Sequence, residues 1–222
     1  MTTATSNQAP VFFFDCDNCL YHKNLGILTM MRERIVKYIK DLGIPEEDAI
    51  VLRNRYHLDY GLALRGLLKH HQVDPIDYDE KVDQSLPLES VMKPDPALKD
   101  MLSKLKMKKW VFTNAYQPHA TRVLNILGIA DEFDGMTFCD YRIPNFDCKP
   151  EVSFYHKAMA HAGISDPTLC YLVDDSAANI DAAKQLGWKT VHLADDASQS
   201  HHGDYQIEDI HELPNVLPEL WK

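Results

Sequence analysis

Positive charge is scarce in this chain: 23 lysines and arginines face 33 aspartates and glutamates over 222 residues, for a formal net charge of -10 at pH 7. A phosphate backbone rewards a basic surface, so this balance excludes a general binder of nucleic acid polymers. It leaves room for a small anionic ligand, because a local site can be positive on an acidic protein. Long apolar runs are missing as well. No stretch nears the ~20 residues that a bilayer-crossing helix needs, so no membrane span is expected. The opening MTTATSNQAP has neither the basic cluster nor the apolar centre of a signal peptide and reads as a flexible tail. Cysteines number an odd five, which fits a reducing compartment, the cytoplasm with the nucleus equally open, rather than a disulfide framework. Cys139 and Cys170 lie in apolar strand-like runs and read as small core residues. Internal repeats and low-complexity segments are absent too. What remains, 45% hydrophobic and 25% charged residues, is ordinary for a globular chain. The length suits one large domain or a core with a smaller insertion.

Against that background the segment VFFFDCDNCLY, Val11 to Tyr21, stands out. Its unbroken apolar start predicts a strand buried on both faces of a parallel sheet. Ligands of open α/β sheets sit outside the carboxyl ends of the strands, where Asp15 and Asp17 fall. Two acids two residues apart supply one group able to attack and another able to move a proton. An acidic turn at a strand end is the plainer alternative.

Helical spacing then takes over. Met31, Ile35, Tyr38, Ile39 and Leu42 mark an apolar stripe over about Leu25 to Leu42, stopped by Gly43. Pro45 to Asp48 supply a proline and acidic helix start, and further helices are predicted over Gly61 to Gln72 and Asp77 to Ser85. After Lys93-Pro94-Asp95-Pro96 the pattern alternates. Strand-like runs at 110–112, 136–139, 169–173 and 190–193 are interleaved with helices at about 119–127, 152–162 and 177–186. This predicts an α/β fold, a parallel sheet with helices on both faces, carrying a helical unit inserted after the first strand. From Ala194 onward the chain reads as loops and a closing edge, with His201 and His202 in a solvated turn.

Three later run ends carry polar residues suited to one site. Thr113 and Asn114 offer a hydroxyl, an amide and backbone N–H groups before a helix, an oxyanion cradle or simply a cap. Asp174 and Asp175 would join Asp15 and Asp17 in a crowd of carboxylates that a hard cation such as Mg²⁺ relieves. Lys149, fixed by the following Pro150, can hold an ammonium over them.

In this order, Asp15-x-Asp17, Thr113, Lys149 and Asp174-Asp175 resemble the four motifs of the haloacid dehalogenase-like hydrolases. The likeness covers nearly the whole chain. The strings DCDNCLY, YGLALRGL, VFTNAY, LGIADEFDG and VDDSAANI are similar to those of fungal pyrimidine 5'-nucleotidases, a group that includes nucleotide and lysophosphatidate phosphatases. The resemblance implies a Rossmann-like core, residues 1–22 and 92–222, with a helical cap at 23–91. It implies Asp15 as nucleophile and Asp17 as acid and base. It implies Mg²⁺ held by Asp15, the Asp17 carbonyl, Asp174 and Asp175, and Thr113, Asn114 and Lys149 gripping the phosphoryl group of a small phosphate monoester. Asn18, Tyr21, His22, Tyr56, Tyr60 and Arg65 become candidates for substrate contact, although Tyr56 and Tyr60 lie one helical turn apart and read equally as cap packing. One position departs from the family: Cys19 stands where threonine is usual, a weaker donor for the same loop. Cys16 and Cys19 also spell C-x-x-C, which a redox or zinc protein would use, but no second pair has matching spacing. A Cys16→Ser/Cys19→Ser double variant is expected to keep most hydrolytic activity in a steady-state assay, whereas a thiol enzyme would lose it.

Overall fold

The structure is a computed structural model and describes residues 8–222. Residues 1–7 of the expected tail lie outside the described residues. The tail's described end is held rather than loose: Gln8 Nε2 donates to the Gly163 carbonyl, and Gln8 Oε1 accepts from the Ser165 amide.

Strands β1 (Val11–Phe14), β2 (Lys108–Phe112), β3 (Gly135–Thr137), β4 (Cys170–Asp174), β5 (Lys189–Leu193) and β6 (Tyr205–Ile207) form one parallel sheet in the spatial order β3-β2-β1-β4-β5-β6. This is the order of a Rossmann-type doubly wound sheet. The all-apolar sequence of β1 follows from its central place, with parallel neighbours on both sides and a packed layer on each face. Phe13 meets Trp188 on one face at 4.6 Å between ring centroids, and Phe12 stacks on Phe14 on the other at 4.5 Å. The strand order reverses between β1 and β4, and there the Asp15 amide donates to the Val173 carbonyl at 3.0 Å. The first acidic pair and Asp174 therefore end neighbouring strands at the switch point. The run expected to reach Cys139 pairs only through Thr137, but Cys139 is still fully buried.

Between β1 and β2 the chain forms α1 (Ile27–Asp41), α2 (Glu46–Tyr60), α3 (Ala63–His70), α4 (Pro75–Lys81) and α5 (Leu88–Val91), with no strand among these described residues. Leu42, read as part of the α1 stripe, lies past the helix end and is 38% exposed. Then α6 (Pro96–Lys104) begins where the sequence showed only punctuation: Asp95 caps it by accepting from the Leu98 amide, and Pro96 starts its first turn. The remaining helices are α7 (Gln117–Leu127), α8 (Val152–Ala162), α9 (Ala177–Gln185) and α10 (Leu213–Val216). No helix of the described residues is long and apolar enough to cross a membrane.

The helical insertion touches the core beside Lys149. Gly61 ends α2 at φ +77°, and a Cβ there would lie 2.8 Å from Cys148 Sγ and 3.1 Å from the Lys149 carbonyl. Glycine is required both by the backbone and by the close approach. Next to it, Arg65 binds Glu151 at 2.8 Å and donates to Cys148 Sγ at 3.0 Å.

Within the insertion, Gly66 of α3 lies under Tyr56, whose Cγ would be 2.2 Å from an added Cβ. Glycine to alanine in a helix ordinarily gains about 1 kcal/mol, but overpacking here costs about 1–3 kcal/mol. Gly66→Ala is therefore expected to lower the urea midpoint rather than raise it.

Candidate active site

Lys149 organises the site. Although its side chain is only 1% exposed, its Nζ donates to Asp15 Oδ1 at 2.8 Å, to Asp174 Oδ2 at 2.6 Å and to the Phe112 carbonyl at 2.7 Å. All three ammonium protons are thus placed, and the ends of β1, β2 and β4 are joined through one cation. Burial opposes the charge, but Asp15 and Asp174 outweigh it and raise the Lys149 pKa, so the ammonium stays charged. Asn114 holds the backbone of this lysine from both sides: its Oδ1 accepts from the Lys149 amide at 2.7 Å and its Nδ2 donates to the Lys149 carbonyl at 3.0 Å. The Asn114 side chain is committed to this clamp, which leaves its backbone, the group expected to meet the phosphoryl oxygens, free for that contact. Thr113 is buried, and its Oγ1 accepts from the Ala115 amide at 3.0 Å, so the hydroxyl proton remains to donate elsewhere.

Asp174 accepts from the Ser176 amide and from Asn179 Nδ2 in addition to Lys149. One oxygen from each of Asp15, Asp174 and Asp175 lies within 4.8 Å of the others. Burial, and then the charge of Asp174, push the Asp15 carboxyl well above its ordinary range and Asp175 up to about 7. One ammonium does not balance this crowd. An all-oxygen set with excess negative charge fits a hard divalent cation. Asn18 lies in the same loop as Asp15 at φ +56°, and its Oδ1 is buried without a partner, an unfilled acceptor at the site.

Asp17 is held apart from that cluster. Tyr21 OH donates to Asp17 Oδ1 at 2.7 Å, and His119 Nε2 lies 2.8 Å from the same oxygen. Burial acts to raise Asp17, but the His119 charge and these two bonds outweigh it and hold its pKa below the usual value. Burial likewise pulls His119 down, and Asp17 overcomes this to carry it up to about 9. The carboxylate of Asp17 is not among the clustered oxygens, leaving only its backbone carbonyl for the metal role. Cys19 takes the family threonine's place with a long Sγ contact to the Val173 carbonyl, 3.7 Å. Burial pushes the Cys16 and Cys19 thiols well up, opposite to what thiol chemistry needs.

The other candidates are scattered. His22 is exposed, caps a short turn by accepting from the Asn24 amide, and lines a small pocket with Asp95, Asp209 and His211. Tyr56 is buried over Gly66 and bonds His71, so it packs the insertion instead of meeting a ligand. Tyr60 bonds His70 at 2.7 Å and remains partly exposed. Arg65 fastens the insertion to the Lys149 loop. Tyr21 belongs to the site, as the anchor of Asp17. The sequence reading missed His119 and Asn179. His119 is at the third position of α7, six residues past Thr113, and a histidine so near a strand end is the signal that could have found it.

A family model described as haloacid dehalogenase-like hydrolase matches residues 9–187. The chain belongs to this family. Among curated relatives, the Saccharomyces cerevisiae protein called phosphate metabolism protein 8 is 36% identical over 231 residues, covering 93% of this chain and 72% of that one. Solved haloacid dehalogenase-like structures share the fold at low identity. CbbY from Rhodobacter sphaeroides in complex with xylulose 1,5-bisphosphate superposes with a TM-score of 0.65 at 16% identity, covering 93% of this chain and 96% of that one. A phosphatase from Thermococcus onnurineus superposes at 0.56 and 19%, covering 94% and 97%. The L-2-haloacid dehalogenase from Xanthobacter autotrophicus superposes at 0.56 and 14%, covering 95% and 99%.

His119 has a pKa in the folded protein above the ordinary histidine value, because Asp17 outweighs the effect of burial. Its stabilising contribution is therefore complete below the unfolded value and disappears as pH rises through about 9. The urea midpoint of the wild type is expected to fall between pH 6 and pH 10, and that fall should shrink in His119→Gln.

Proposed function

We propose that the chain is a cytoplasmic, Mg²⁺-dependent phosphomonoesterase that hydrolyses nucleoside 5'-monophosphates, with pyrimidine nucleotides preferred, through an aspartyl-phosphate on Asp15. The observation that carries this reading is the division of the acidic pair: Asp15 is held by Lys149 among clustered carboxylates, while Asp17 is held apart by Tyr21 and His119. A dehalogenase also attacks through an aspartate but has no use for a proton carrier two residues on, so the fixed Asp17 favours phosphate esters.

Asp15 attacks phosphorus, and Asp17 protonates the departing oxygen and then activates water. Mg²⁺ held by Asp15, Asp174, Asp175 and the Asp17 carbonyl would shield the anionic nucleophile from its anionic substrate. Thr113 and the Asn114 backbone bind the phosphoryl oxygens, and the Lys149 ammonium, its protons committed to Asp15, Asp174 and the Phe112 carbonyl, offsets their charge during transfer. The name of the yeast relative, with its reference to phosphate metabolism, agrees with this class. The nucleotide preference draws its support from the sequence strings shared with pyrimidine nucleotidases, and the compartment from five free, buried cysteines.

Asp15→Asn is expected to lower phosphate release by more than about 10³-fold with Mg²⁺ present, and chelation should abolish turnover that added Mg²⁺ restores. A panel of UMP, CMP, AMP, GMP, lysophosphatidate and sugar phosphates reads the leaving group. Clear preference for lysophosphatidate or a sugar phosphate would overturn the nucleotidase assignment and leave Asp15 as nucleophile.

A further inference from the structure

His119 is fully buried, yet its Nδ1 has no hydrogen-bond partner and its single bond goes to Asp17. A buried imidazole with one nitrogen unpaired lowers fold stability unless it serves another purpose. Its bond shares an acceptor with that of Tyr21: both donors reach Asp17 Oδ1, at 2.8 and 2.7 Å. A carboxyl oxygen has two in-plane lone pairs. With both used on Oδ1, a proton on this group resides on Oδ2.

We propose that His119 is a positioning residue for proton transfer, acting with Tyr21 to occupy Asp17 Oδ1 so that Oδ2 alone faces the leaving group and carries its proton. The inference rests on the phosphatase reading of the site. In the first half-reaction an Asp15 oxygen forms a bond to phosphorus. The ester P–O bond breaks with its electron pair left on the departing oxygen, which takes the proton from Asp17 Oδ2. In the second, Oδ2 receives a proton from water as the water oxygen bonds to phosphorus and the Asp15–phosphorus bond breaks. Both transfers use one oxygen, so a carboxyl free to rotate spends part of its time with the wrong oxygen forward.

Nε2 carries the hydrogen that His119 donates to Oδ1, and the ring orientation is fixed by that bond. The arrangement comes from two separate elements: Tyr21 stands on the loop after β1, and His119 in the first turn of α7 after β2. Neither hydrogen-bonds the carboxylates around Lys149, so the proton carrier is oriented independently of the nucleophile.

The test compares leaving groups. The wild type, His119→Leu, His119→Gln and Tyr21→Phe are assayed on p-nitrophenyl phosphate, whose phenolate departs without help, and on the best alkyl monophosphate of the panel, whose alkoxide needs a proton. For His119→Leu, kcat on the alkyl substrate should fall about 10²-fold or more, with a loss below about 10-fold on p-nitrophenyl phosphate, and KM should change by less than about 3-fold. His119→Gln, whose amide nitrogen can stand in for Nε2, should recover at least about tenfold of the alkyl activity. Tyr21→Phe should show the same substrate bias, and carries the test if His119→Leu does not fold. Equal losses on the two substrates, or full alkyl activity in His119→Leu, would overturn the inference while the phosphatase reading stands. A wild type inactive on both substrates would overturn that reading and the inference with it.

Discussion

The buried ammonium of Lys149 is the constraint on which the site depends. Its three bonds reach the ends of three neighbouring strands, and none of those ends would be stable in the present form without it. Asp15 and Asp174 would be adjacent buried anions, a situation that costs several kcal/mol or is relieved by taking up protons. A nucleophile must be ionised and desolvated at once, and a neighbouring fixed cation is the simplest way to have both. The cation is itself secured by the shape of the sheet: β1 and β4 are adjacent because the strand order reverses there, which brings the two carboxylates within reach of a single side chain.

Much of this was legible in the residues. The alternation of runs and helices announced a parallel sheet; the polar ends of those runs marked the acids and the threonine, because strand ends in such sheets are where side chains converge, and Pro150 before a helix marked the lysine. What escaped has physical reasons. Helix α6 hid behind Lys93-Pro94-Asp95-Pro96, where two prolines look like a break but an aspartate cap and a first-turn proline begin a helix. His119 carried no periodic signal, and its one mark in the sequence was its place six residues past Thr113, soon after a strand end. Its role appears only when α7 is folded back against the loop holding Asp17. The cap aromatics read equally as ligand surface and as packing, and Tyr56 takes the second course, its ring lying over Gly66. Residue type alone does not say which side of a helix meets a ligand when several faces are covered.

Two chemical tasks are kept physically separate. Around Asp15 the environment raises proton affinity through burial and like charge, while around Asp17 hydrogen bonds and a cationic ring lower it. Two carboxylates two residues apart thereby acquire opposite tendencies. Residues two apart on a strand would face the same way, so the separation comes from the turn that follows β1, which leaves Asp15 at Lys149 and carries Asp17 to Tyr21 and His119.

The Asn114 amide pairs with both backbone groups of Lys149, as an additional rung of sheet would. The loop after β2 and the loop bearing the lysine are therefore one mechanical body. The insertion presses on that body where Gly61 meets Cys148, and load applied there passes through Asn114 into β2. The spacing between the threonine and the ammonium is in this way set inside the core, by a clamp to which the insertion contributes no side chain.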